Sequence, residues 1–191
     1  MKMKKRFLVF ALLVILLSII AGTTLAYYTA TDTATNVITS SGVDIELVET
    51  TEDGEPFANV AGIMPGTTVS KIVKVRNKQA DAYVRVSCVV EATGADGKPL
   101  DLSKIPNGDK AIVMDLNLTD WALGEDGYYY YKYPLEAGDI TEPLFTEVSF
   151  DAENMGNEFQ NAKLTITVQA QATQVAHNGS NYAEAAGWPK A

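Results

Sequence analysis

Leu164-Thr165-Ile166-Thr167-Val168-Gln169-Ala170-Gln171-Ala172-Thr173 is the stretch on which the fold turns. Every second residue is apolar, and every intervening one is Thr or Gln. In an extended chain, successive side chains point to opposite faces. This run therefore presents one greasy face and one polar face, the mark of a strand packed on one side. The same signature recurs outward from it. Val84-Arg85-Val86-Ser87-Cys88-Val89-Val90 puts Val84, Val86, Cys88 and Val90 together, and Val43-Asp44-Ile45-Glu46-Leu47 alternates as cleanly. Ile112, Met114, Leu116 and Leu118 form another stripe, and residues 69–76, 128–133 and 144–150 are weaker strands. Turn dipeptides separate them: Asp53-Gly54, Pro65-Gly66, Asp96-Gly97, Asn107-Gly108, Asp126-Gly127 and Ala137-Gly138. Helical signal is thin, with one turn at 103–105, a short helix at 154–161 and another at 181–187. Seven or more half-buried strands predict an all-β, jelly-roll or immunoglobulin-like sandwich over residues 43–191, with few short helices.

The beginning of the chain has a different character. Lys2, Lys4, Lys5 and Arg6 precede an apolar run from Phe7 to Ile20, and small or polar residues come next. Basic, greasy and small segments in that order read as a signal peptide over residues 1–26, cut between Ala26 and Tyr27. The apolar run alone would rise about 21 Å as a helix, short of the roughly 30 Å hydrocarbon core. Extended to Ala26 it would be long enough to serve as an uncleaved anchor. Contact with a membrane is expected only through this segment, before cleavage.

The whole chain has 191 residues, 47% apolar and 20% charged, with a formal net charge of −9. Removing residues 1–26 takes four of the 15 basic residues and none of the 24 acids, leaving 165 residues with a net charge of −13. Such an acidic domain is no partner for nucleic acid. A single cysteine excludes an intramolecular disulfide and a multi-cysteine zinc site, and a single histidine excludes a HExxH centre.

Few residues suggest chemistry. Cys88 lies on the apolar face of a strand and reads as a small core residue. His177 sits in a polar stretch and reads as solvated. The acids are scattered without calcium-loop spacing, and GxSxG, GxxxxGK[ST] and GxGxxG are absent. No catalytic, metal or cofactor residue is assigned, and no cofactor is expected. The strongest cluster is Tyr128-Tyr129-Tyr130-Tyr131 with Tyr133. On a strand, Tyr129, Tyr131 and Tyr133 share one face and Tyr128 and Tyr130 the other. One face suits the core; the other could stack on a sugar or a neighbouring subunit.

Several segments, taken in order, resemble one family. Leu25-Ala26-Tyr27-Tyr28-Thr29 with Asp32-Thr33-Ala34-Thr35-Asn36 is similar to the processing region of proteins exported through the SipW-type signal peptidase. Met64-Pro65-Gly66, Val73-Lys74-Val75-Arg76-Asn77 and Ala82-Tyr83-Val84-Arg85-Val86 resemble a Pro-Gly turn, a strand ending in Asn and a Tyr-Val-Arg strand of the TasA/camelysin (CalY) family. Trp121, the tyrosine block, Pro134-Leu135 with Gly138 and Thr141-Glu142-Pro143-Leu144-Phe145 are similar to that family's next block. Residues 168–174 with Trp188 are similar to its closing strand and tail. The resemblance implies a secreted jelly-roll-like domain at the surface or in the biofilm matrix of a Gram-positive bacterium. It also implies fibres in which the N-terminal segment of one subunit completes the sheet of the next. Its camelysin branch would imply a metalloendopeptidase, for which this chain lacks the ligand motif.

The residues themselves allow strand donation. Residues 27–42 hold no proline, and no glycine before Gly42, and are rich in Thr and Tyr, which favour extended chain. Tyr28, Ala30, Asp32 and Ala34 would line one face and Thr29, Thr31, Thr33 and Thr35 the other. Such a segment can pair with an open sheet edge of its own domain or of a neighbour. The expected function is a secreted structural protein that forms or decorates fibres, partnered by itself or related matrix subunits and processed by a SipW-type peptidase. The alternatives, in order, are an extracellular binding module for carbohydrate or protein and a camelysin-like metalloendopeptidase.

Overall fold

The computed structural model describes residues 28–32, 36–39, 42–58, 60–105 and 108–189. The predicted signal peptide, its predicted Ala26–Tyr27 cut and residues 33–35 of the candidate donor strand lie outside the described residues.

Among the described residues twelve strands succeed one another: β1 (Tyr28–Asp32), β2 (Asn36–Thr39), β3 (Ile45–Thr50), β4 (Ala61–Ile63), β5 (Thr68–Asn77), β6 (Ala82–Thr93), β7 (Pro99–Leu100), β8 (Ile112–Met114), β9 (Trp121–Leu123), β10 (Tyr129–Tyr131), β11 (Phe145–Phe150) and β12 (Lys163–Gln174). They form two sheets. The larger runs β4-β1-β12-β6-β10-β9, with β2 also on β12 and β7 on β6; the smaller runs β3-β5-β11-β8. The protein is an all-β sandwich.

The spine is the antiparallel ladder of β6 and β12, in register from Lys163 opposite Thr93 to Gln174 opposite Ala82. The alternation of β12 places Leu164, Ile166, Val168, Ala170 and Ala172 in the core, joined by Ala82, Val84 and Val86 of β6. The smaller sheet faces them with Ile45, Leu47, Val73, Val75, Val148 and Phe150, and Val43 joins the core just ahead of β3. Trp121 is wholly buried, and its Nε1 donates to the Glu142 carbonyl at 3.1 Å, so the indole leaves no unpaired polar atom in the core.

Side chains close the irregular points. Asn77 is buried at the end of β5; its Nδ2 donates to the Ala80 and Leu135 carbonyls and its Oδ1 accepts from Gln79 N, fixing the turn into β6. The pairing of β11 with β5 slips between Phe145 and Glu147, and Phe145 and Val148, three residues apart, are both buried. Asp115 Oδ1 accepts from Thr146 N at 2.8 Å and Glu147 N at 2.7 Å, giving these backbone donors a partner beyond the end of β8.

Three sequence expectations need correction. The stripe Ile112-Met114-Leu116-Leu118 stops as a strand at Met114, and Leu118 is exposed. The reason is Asn117, whose Oδ1 accepts from Thr119 N and Asp120 N and turns the chain. No helix forms at 181–187, where Asn181 and Glu184 side chains take up nearby backbone and side-chain donors and hold turns instead. At 154–161 only a 3₁₀ turn, Asn157–Phe159, is present. The turn at 103–105 is a 3₁₀ turn at Leu102–Lys104, begun by Asp101 Oδ1 accepting from Ser103 N.

Candidate functional site

Two features of the larger sheet stand out, one at its edge and one on its outer face. At the edge, β1 and β2 both lie parallel to β12, along the side of it that does not face β6. Thr29 to Asp32 stand opposite Lys163 to Ile166, and Asn36 to Thr39 opposite Gln169 to Ala172. The segment read as a candidate donor strand therefore closes the edge of its own β12. Parallel strands need a long crossover, and here the whole domain lies between the two partners in sequence. β4 covers the far side of β1 in antiparallel pairing.

On the outer face three adjacent strands bring polar side chains into one row. The ladders place Tyr130 opposite Arg85 and Arg85 opposite Gln171. Arg85 is the centre of this row, with only 11% of its side chain exposed. Its Nε and Nη2 donate to Gln171 Oε1 at 2.9 and 2.7 Å, and its Nη1 reaches Tyr130 Oη at 2.9 Å and Asp126 Oδ2 at 3.0 Å. The guanidinium lies 4.0 Å from the Tyr128 ring centre and 4.7 Å from that of Trp188. Planar stacking with forked donors is what arginine supplies and lysine does not. Gln171 is fully buried and completes the row by donating to Tyr128 Oη at 3.2 Å.

The tyrosine block divides as β-geometry requires. Tyr131 is buried against Trp121 at 5.1 Å between ring centres, and Tyr129 packs against the core, whereas Tyr128 and Tyr130 stand beside Arg85. Tyr133, beyond the strand, is about half exposed, with its ring edge-on to Tyr131. Burial works against the Asp126 carboxylate, but hydrogen bonds from the Tyr130 hydroxyl and Tyr128 amide, with the nearby Arg85 charge, hold it below the usual range. Burial and then the same Asp126 contact push the Tyr130 phenol up.

The C-terminal residues fold back onto this face. Asn178 Nδ2 lies within hydrogen-bonding distance of Thr173 Oγ1, Gln174 O and Ala186 O, and Asn178 Oδ1 accepts from Ala186 N at 2.8 Å. That latch brings Trp188 to Arg85 and Tyr182 to Tyr130. A cleft of about 530 Å³ opens between this tail and the β9–β10 turn, lined by Gly124, Glu125, Asp126, Tyr130, Tyr182, Ala183, Ala185 and Trp188. Gly124 is needed for its shape: a Cβ there would lie 2.6 Å from the Tyr130 ring and 2.7 Å from Asp126 Oδ1.

The remaining candidates gather no chemistry. Cys88 is half-buried against the core; burial, helped by the Glu49 charge and opposed more weakly by Lys71, pushes its thiol up to about 12. A thiol so protonated is a poor nucleophile. His177 adopts φ 58° in a turn. Among the described residues no group of three His, Cys, Asp or Glu could hold a metal ion, and no helix is long and apolar enough to cross a membrane.

Sequence reasoning paired Tyr128 with Tyr130 but missed Arg85, Gln171, Tyr182 and Trp188 as their companions. Arg85 did carry a signal, a guanidinium flanked by Val84 and Val86 within a strand. Its partners depend on strand register and on a tail that returns from a distance, neither of which alternation reveals. Compared with protein-family profiles, characterised proteins and solved structures, the chain finds no match.

Proposed function

We propose that this is an exported structural protein of the TasA/camelysin type, which builds or decorates extracellular fibres by lending residues 28–39 to the β12 edge of a neighbouring copy. The observation that carries this reading is the parallel docking of β1 and β2 along β12. The arm is attached to its own sheet edge by register-matched backbone pairing, and an identical edge on a second molecule would accept it equally well. In sequence the arm comes directly after the predicted cleavage point, so before processing its N-terminus is tied to the signal segment. Removal of residues 1–26 frees that end for exchange outside the cell.

The test is electron microscopy of the exported form, residues 27–191, beside a form beginning at Ser40, which lacks both β1 and β2. The full arm should give fibres, and the shortened form folded particles without fibres. Fibres from both forms, or from neither across a range of salt and pH, would refute strand donation. The net charge of −13 opposes association at low salt, so added salt should speed assembly.

A further inference from the structure

The cleft between the C-terminal tail and the β9–β10 turn is absorbed neither by the fold nor by strand exchange, since it lies at the opposite side of the larger sheet from the arm. Its volume, about 530 Å³, lies within the range of roughly 300–1,000 Å³ typical of small-ligand sites. Three aromatic rings wall it. Tyr130 and Tyr182 stand 6.2 Å apart at 38°, and Trp188 meets Tyr130 edge-on at 5.5 Å and 85°. The remaining lining is two carboxylates, a glycine and two alanines.

These walls are set before any ligand arrives. Tyr130 Oη is fixed by Asp126 at 2.7 Å and by Arg85. Trp188 Nε1 donates to the Ala185 carbonyl at 3.0 Å, and the tail carrying it is pinned through Asn178 and Thr173. A site with fixed walls loses little freedom on binding.

Charge selects the class of ligand. An anion would face Glu125 and Asp126, with the nearby guanidinium of Arg85 already held by Asp126, Gln171 and Tyr130. A cation drawn in by Glu125 and Asp126 would meet the Arg85 guanidinium, 4.7 Å from the Trp188 ring centre, and would be repelled by it. The rings form an open trough rather than a box around a point charge. A neutral ligand with flat apolar patches and a rim of hydroxyls escapes both penalties. Its C–H faces can lie on the rings while its hydroxyls donate to Glu125. We infer that this cleft binds a neutral carbohydrate chain, with Tyr182 and Trp188 as stacking platforms and Glu125 as the hydrogen-bond acceptor.

Tryptophan emission reads the site directly, because the second tryptophan, Trp121, is wholly buried in the core. The purified protein is titrated with neutral hexasaccharides of glucose, galactose, mannose and N-acetylglucosamine, with choline as the cationic probe and a polyuronate as the anionic one. At least one neutral hexasaccharide should give a saturable emission change that 0.5 M salt leaves intact. Tyr182→Ala should weaken it by about tenfold, Trp188→Phe should abolish the optical signal, and calorimetry should show that Glu125→Gln weakens binding. Far-ultraviolet circular dichroism and thermal melting identify any variant that fails to fold, and Tyr182→Phe supplies a milder replacement. No response to any neutral sugar, binding of choline or polyuronate instead, or sugar binding indifferent to Tyr182 and Glu125 would each overturn the inference. These outcomes do not depend on fibre formation.

Discussion

Replacing Arg85 by alanine tests whether the outer-face row is held by one guanidinium. The substitution removes the two donors to Gln171 Oε1, which sits in a fully buried side chain. An acceptor stranded in that way costs about 1–3 kcal/mol. The stacking on Tyr128 and Trp188 is largely shielded from water and contributes about 1–2 kcal/mol. Together these come to roughly 2–5 kcal/mol, reaching at the upper end the scale of breaking a buried charged contact. Asp126 is the control. Its side chain is 43% exposed, so Asp126→Asn should cost less than about 1 kcal/mol. Arg85→Lys should fall between them, keeping the charge and losing the fork. Urea denaturation tracked by fluorescence measures all three. With a slope of about 2 kcal/mol per molar, Arg85→Ala should lower the midpoint by roughly 1–2.5 M without changing the slope. Near-ultraviolet circular dichroism should lose the Trp188 contribution at the same time. If Arg85→Ala moves the midpoint no further than Asp126→Asn does, the row is ornament on a sheet that stands without it, and the reasoning fails.

Single contacts elsewhere in the domain have consequences of their own. Burial works against the Asp115 carboxylate, but hydrogen bonds from Thr146 Oγ1 and from the Glu147 and Thr146 amides outweigh it and hold it below the ordinary range. A depressed carboxylate adds stability above its unfolded value, near pH 4, and that addition disappears as pH falls through the lower folded value. The stability gap between the wild type and Asp115→Asn should therefore be full at pH 6 and shrink below pH 4, as denaturation at stepped pH would show. Cys88 should resist a disulfide reagent at pH 8 in the native protein and react promptly in urea; rapid native labelling would contradict its raised thiol. Lys71 is 2% exposed, 2.8 Å from Glu49 Oε1 and 4.0 Å from the Phe57 ring centre. Lys71→Met should destabilise by about 3–5 kcal/mol by burying Glu49 without that ammonium, and a melting curve unchanged from wild type would count against it.

The sandwich was legible because its longest strands carry the clearest alternation. After Lys163 the polar residues of β12 are Thr and Gln, so its two faces separate without ambiguity, and β6 obeys the same rule from Val84 to Cys88. Legibility failed wherever a side chain captured the backbone. Asn117 ended a stripe that Leu118 would have continued. Asn181 and Glu184 turned an alanine-rich stretch away from helix. The smaller sheet hides a second kind of difficulty: Lys71 and Glu49 occupy inward positions that polarity alone would assign to solvent, and their pairing, with the Phe57 ring against Lys71, helps make that placement tolerable. The outer-face row was the least legible part. It needs Tyr130, Arg85 and Gln171 from three strands, and the order β10-β6-β12 arises from long-range pairing that no local pattern encodes.

The arm poses a question of balance rather than of strength. The backbone pairs it makes to β12 within one chain are the same pairs it would make to a second chain, so exchange neither creates nor destroys them. The balance between closed monomer and fibre then rests on effective concentration and on the hinge. Residues 40–44 separate β2 from β3, a connection that spans at most about 20 Å when fully extended. A donated arm can therefore reach only a neighbour pressed directly against its own domain, and every junction must bring two domain surfaces together. The closed form is favoured in dilution, where the chain's own arm is always nearest. A high local concentration in the proposed assembly shifts the balance toward exchange without any change in sequence, and shielding of the acidic surfaces shifts it the same way. In the proposed assembly the proteolytic cut removes an obstruction, local concentration supplies the driving force, and the short hinge gives the resulting fibre its stiffness.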